Sequence, residues 1–168
     1  FDLVTETDLF RAIVVASPST GPLSYALQSR RFRRVRLQEF GLNPPWDESS
    51  PTHSYWEENS AELRADRLHA ALLINAPESE MLSAFALLAR LEQSATPVET
   101  YIYPGAYHLK WLPSQIWATQ ERTIAWLDFW LRDVAPRDAA LAERWRAMRD
   151  RAHQARLAAS PSASPVSP

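Results

Sequence analysis

The sequence predicts an α/β fold, a parallel sheet with helices on both faces, and three observations carry that prediction. The first is a set of short apolar runs rich in β-branched residues: "RAIVVAS" at residues 11–17, "HAALLINA" at 69–76 and "PVETYIYP" at 97–104. The second is that longer stretches with apolar residues at helical spacing separate them. The third is the order that results: strand, helix, loop, strand, helix, strand, helix. Such alternation requires crossover connections, which make neighbouring strands parallel.

The elements follow in chain order. "FDLVTETDLF" reads as the end of a helix, and the chain has no initiator methionine, so we read it as an internal piece of a longer polypeptide. "RAIVVAS" has the continuous apolar character of a strand buried on both faces and is stopped by Pro18. "LSYALQSRRFRRVRLQEFG" reads as one helix whose Arg30, Arg31, Arg33, Arg34 and Arg36 form a solvated face. Residues 43–60, rich in proline, serine and aromatics, predict an ordered loop before a short helix at 61–66.

The second strand is followed by "EMLSAFALLARLEQS", for which Ser79 is a plausible N-cap and Leu82, Phe85, Leu88 and Leu91 a helical stripe. "PVETYIYP" alternates in the manner of a strand. "PSQIWATQERTIAWLDFWLRD" predicts a long helix with Pro113 in its first turn and Ile116, Ile124, Leu127 and Leu131 on one face. "RDAALAERWRAMRDRAHQARLA" is a charged helix, and "ASPSASPVSP" a low-complexity tail with little to bury. Three strands are few for a sheet of this kind, so further strands are expected upstream. Residues 1–133 form the α/β part, 134–158 a helical extension and 159–168 a disordered tail.

Composition narrows the function classes. The chain has 168 residues, is 46% hydrophobic and carries a net charge of −2, which gives no reason to expect nucleic acid as a partner. No apolar run approaches the roughly 20 residues of a membrane-spanning helix. The absence of cysteine removes disulfides, a cysteine nucleophile and thiolate metal sites, and it leaves the compartment open.

The candidate chemistry lies where open α/β sheets keep it, at the carboxyl ends of the strands. After the second strand comes "PESEM", with Glu78 and Glu80 at the mouth of a helix. After the third comes "GAYHLKW", with His108. A carboxylate can hold an imidazole in one tautomer while the other ring nitrogen takes a proton from a nucleophile. Acid-then-histidine is also the α/β-hydrolase order, in which the serine comes first. The bland alternative is a surface histidine beside two glutamates that serve a helix macrodipole. No G-x-S-x-G elbow is present. Ser17 is a poor substitute, because the following residue must donate an N–H to the oxyanion and Pro18 has none. The nucleophile is therefore expected upstream of Phe1.

The ordered stretches "TDLFRAIVVASP", "YWEENSAELRADRLHAALLINA", "PVETYIYPGAYH" and "ERTIAWLDFWLRD" resemble the C-terminal part of the α/β-hydrolase domain of prolyl oligopeptidase-like serine peptidases, from about Asp2 to Asp133. The departures narrow the resemblance. Asn75 and Ala76 stand where that family has a His-Gly pair, glutamates replace its aspartate, and Tyr107 replaces the glycine before the histidine. Glutamate after "INAPES" together with "HLKW" resembles the lasso peptide isopeptidases, the branch that cleaves the side-chain amide closing the ring of a threaded bacterial peptide.

The resemblance implies His108 as the catalytic histidine and an upstream segment of the same protein that carries the serine and a β-propeller. It implies neither a metal nor an organic cofactor. For the acid, the usual loop count favours Glu78 and the isopeptidase pattern favours Glu80. Glu80 is preferred, since at the start of a helix its oxygens can accept first-turn N–H bonds while its longer arm still reaches a histidine. Lys110 and Trp111, directly after the histidine, are expected to border a substrate cleft; the alternative is a surface charge and a packed indole. Two other functions stay open: a general peptidase of the same fold, and a non-catalytic module that binds peptide.

Overall fold

The computed structural model describes residues 2–18 and 21–159. The tail expected to be disordered falls, apart from its first residue, outside that range. Strands β1 (Ala12–Val15), β2 (Ala71–Pro77) and β3 (Val98–Tyr103) form one parallel sheet in the order β1-β2-β3. Ala12 lies opposite Ala71, Leu72 opposite Val98 and Pro77 opposite Tyr103. All seven residues of β2 are buried, which is why that strand reads as an unbroken apolar run.

Alternation of side chains along β2 sends its residues to two cores. Leu72, Ile74 and Ala76 meet Ala65 and Leu68 together with Ala84, Leu87 and Leu91. Ala71 and Leu73 meet Trp126, Phe129, Trp130 and Trp145. The first core is closed by a 3-10 helix (Ala61–Arg67) and by helix α5 (Phe85–Leu91), the second by α6 (Pro113–Arg132) and α7 (Ala139–Ala159). (Helices α1 to α4 are Asp2–Glu6, Pro22–Gln28, Arg30–Glu39 and His53–Asn59.) Helices thus cover both faces of a parallel sheet, as the sequence predicted. Each fully buried Leu or Ile contributes about 1.5–3 kcal/mol to that sandwich.

Five local expectations are corrected. The basic stretch is two helices, because Ser29 is extended: its N–H donates to Tyr25 O at 2.8 Å and closes α2, while its hydroxyl accepts from Phe32 N at 3.1 Å and caps α3. The loop expected over 43–60 contains α4, which Trp56 draws into the protein by burying its indole and donating Nε1–H to Asn43 O at 3.0 Å. Gly21 permits that approach, since a Cβ there would sit 2.6 Å from Asn59 O.

After β2 the chain forms a 3-10 helix (Glu78–Ala84) before α5, and no side chain caps it. Ser79 uses its backbone N–H on Ala106 O at 3.3 Å. The inward stripe is Ala84, Leu87 and Leu91, with Leu88 packed partly against it and Leu82 and Phe85 exposed. In α6 the buried residues are Thr119, Trp126, Phe129 and Trp130. Ile116, Ile124 and Leu131 are exposed, and Leu127 packs only partly against the core. The larger apolar area of the aromatics takes the inward face.

Helix α7 joins this second core. Trp145 is fully buried, edge-on to Trp126 at 5.0 Å between ring centroids, and Arg144 forms a two-pronged ion pair with the buried Glu99 of β3 at 2.6 and 3.2 Å.

Candidate active site

The register that places Pro77 beside Tyr103 brings the two following loops together. Past β3 the chain turns at Gly105, whose φ of 67° lies in the left-handed region that favours glycine. The Gly105 N–H donates to Glu78 Oε2 at 2.6 Å. With the bond from Ser79 to Ala106, this laces the loop after β2 to the loop before His108. Glu78 is thereby engaged in holding the turn.

Glu80 meets the histidine. Its Oε1 lies 2.7 Å from His108 Nδ1. The Glu80 side chain is 25% exposed and that of His108 69% exposed. The expected first-turn N–H bonds do not form; both Glu80 oxygens face side chains. The second, Oε2, accepts a hydrogen bond from the Ser17 hydroxyl. Ser17 Oγ is also 3.1 Å from His108 Nδ1. With Nδ1 carrying the proton shared with the carboxylate, Nε2 presents its lone pair away from the acid. A carboxylate–imidazole pair so arranged can accept a proton from a hydroxyl and stabilise the imidazolium that results.

Lys110 and Trp111 part company. The Lys110 ammonium turns onto the sheet, donating to Ala16 O at 3.1 Å and Asn75 O at 3.3 Å. It also lies 5.3 Å from the centre of the Tyr103 ring. Desolvation lowers its pKa, an effect opposed by the charge of Glu80. The ammonium is thus held at the carboxyl ends of β1 and β2, beside the Glu80–His108 pair. Trp111 is 74% exposed and free to meet a ligand.

Behind the site, Tyr103 Oη donates to Asn75 Oδ1 and Asn75 Nδ2 to Thr123 Oγ1, both at 3.1 Å, so a polar chain links β3, β2 and α6. Sequence reasoning overlooked Ser17 as a neighbour of the pair. Its position was the available signal, because Ser17 lies two residues past the carboxyl end of β1, on the same edge of the sheet as the loops that follow Pro77 and Tyr103. Among the described residues no group of three or more His, Asp or Glu side chains could hold a metal ion.

A parallel sheet wrapped on both faces, with an acid and a histidine on consecutive strand-end loops, is the layout of the C-terminal portion of an α/β-hydrolase domain. The sequence is 34% identical over 143 residues to the lasso peptide isopeptidase AtxE2 of Asticcacaulis excentricus, a match that covers 83% of this chain and 20% of that enzyme. Over the segment they share, the chain is homologous to this isopeptidase.

Solved structures agree. That of AtxE2 without ligand superposes with a TM-score of 0.76 at 31% identity, over 89% of this chain and 23% of the other. That of a serine-to-alanine variant of AtxE2 with astexin3-dC4 bound gives 0.75 at 32% identity, with the same coverage. The chain spans about a fifth of the length of the curated relative it matches. No protein-family profile matches it.

Proposed function

We propose that this chain supplies the acid and the general base of a serine isopeptidase that opens the ring of a lasso peptide. The observation that carries the proposal is the 2.7 Å contact between Glu80 and His108 Nδ1 over the carboxyl ends of β2 and β3, in a segment homologous to a lasso peptide isopeptidase. The nucleophile is a serine on an upstream segment, in a protein that also carries a β-propeller. The behaviour of β1 supports an upstream partner: it is apolar towards both cores yet stands half-buried at the edge of the described sheet.

In the reaction, His108 Nε2 takes the serine proton as the hydroxyl attacks the ring-closing amide carbonyl. Glu80 holds the imidazole and offsets its charge. His108 then returns the proton to the departing amine, leaving an acyl-enzyme, and activates the water that hydrolyses it. Trp111 contributes an apolar contact to the threaded ring, and residues 134–158 act as a helical extension that steadies the domain.

The test is a set of variants in the full-length protein. His108→Ala and Glu80→Gln should each lower kcat by orders of magnitude without unfolding the protein, and Glu78→Gln should do much less. Near-normal turnover in folded His108→Ala would refute the assignment. Collapse in Glu78→Gln with Glu80→Gln intact would move the acid to Glu78.

A further inference from the structure

We infer that Ser17 is a positioning residue, whose hydroxyl holds the second oxygen of Glu80 so that the first faces His108. The inference rests on the reading of Glu80 and His108 as acid and base.

Donors and acceptors close around three side chains. The Ser17 O–H donates to Glu80 Oε2, and His108 Nδ1–H, 2.7 Å away, donates to Glu80 Oε1. Ser17 Oγ, its proton already engaged, lies 3.1 Å from the same Nδ1 and accepts a share of that N–H. Each carboxylate oxygen has one partner, and the ring formed by the three groups fixes the carboxylate in rotation as well as in position. The hydroxyl thereby removes the rotational freedom an exposed glutamate would keep, and it selects the tautomer that leaves Nε2 as the base.

The same geometry speaks against Ser17 as nucleophile. A serine that gives its proton to the histidine must sit at the nitrogen opposite the acid, whereas Ser17 and Glu80 share Nδ1. Pro18, fully buried behind it, offers no N–H to an oxyanion. The backbone at Ser17 is steadied by Lys110, which grips the preceding carbonyl, Ala16 O. The groups that face the pair are therefore Ser17, from the loop that follows β1, and Lys110 from the histidine's own loop. Ser17 also gives the end of β1 a reason to meet the two loops that carry the acid and the base.

The experiment compares Ser17→Thr with Ser17→Val in the full-length enzyme, because the two side chains share a shape and differ in the hydroxyl. The readout is hydrolysis of p-nitrophenyl acetate, with thermal unfolding of each variant as a control. Ser17→Thr should stay within about threefold of the unaltered enzyme, and Ser17→Val should lose roughly tenfold in kcat with little change in KM. In a Glu80→Gln background the valine substitution should cost nothing further, since both act on one carboxylate.

Equal activity of the valine variant, or equal losses in the threonine and valine variants, would overturn the inference while a collapsed Glu80→Gln still upheld the acid. Normal activity in both Glu80→Gln and His108→Ala would instead remove the reading on which it rests. Should Ser17→Val fold poorly, Ser17→Ala takes its place with the same expected loss. Fluorophosphonate labelling should map to a serine other than Ser17; adduct at Ser17 would make it the nucleophile and end the proposal.

Discussion

Replacing Lys110 with methionine separates two roles for one side chain. The ammonium donates to Ala16 O and Asn75 O at 3.1 and 3.3 Å, so it ties the carboxyl ends of β1 and β2 together. Hydrogen bonds to a charged group contribute about 1.5–3 kcal/mol each. These are longer than the roughly 2.7–2.9 Å of strong charge-assisted bonds, which puts each near the lower figure and the pair near ~3 kcal/mol. Ordering a long lysine side chain costs about 1.5–2 kcal/mol, and solvent at the rim screens part of the rest. Methionine keeps most of the apolar stem over Tyr103 and loses the charge and the donors. Lys110→Met should therefore destabilise the fold by about 1 kcal/mol at most. Urea unfolding followed by tryptophan fluorescence measures this directly. Kinetics on the threaded peptide should show a lower kcat, because Ala16 leads into Ser17, with KM unchanged. An unaltered unfolding midpoint combined with a raised KM would refute the reasoning and return Lys110 to the substrate-binding role that its place in the sequence suggested.

Three further outcomes can be checked. Trp145→Ala removes a fully buried indole that touches Trp126 and Phe129, and chemical denaturation should show a loss of about 3–5 kcal/mol. Burial raises the pKa of Tyr103 above its ordinary 10.0. The unfolded phenol then ionises first as pH rises, so the stability Tyr103 provides is intact below pH 10.0 and lost as pH climbs through the raised value. Urea titrations across that window should show a fall that Tyr103→Phe reduces. Trp111→Ala should lower kcat/KM for a threaded lasso peptide far more than for a small activated ester, because the ester needs no positioning on the exposed indole; equal losses would make Trp111 a support of His108.

Sequence alone determined the α/β class, the three strands and the acid-before-histidine order. Those features are local. β-branched runs, helix-period stripes and strand-end loops are written in consecutive residues, and burial of β2 on both faces leaves a continuous apolar signature. Sequence could not decide which face of α6 turns inward. Ile124 and Trp126 are two residues apart, and only the space left by Trp145 on α7 selects the indole.

Nor could sequence say which of Glu78 and Glu80 lies against the histidine. Both open the same 3-10 helix, and the contacts follow from register: Pro77 beside Tyr103 puts Gly105 at Glu78 and His108 at Glu80. On sequence grounds Lys110 was expected to border the cleft, because it follows the histidine. The carbonyls that capture it, Ala16 O and Asn75 O, lie 94 and 35 residues away in the chain. Ser17 joins Glu80 and His108 across 63 and 91 residues for the same reason. A parallel sheet collects the carboxyl ends of distant strands along one edge, so partners at that edge are set by strand order and register, which no local pattern encodes.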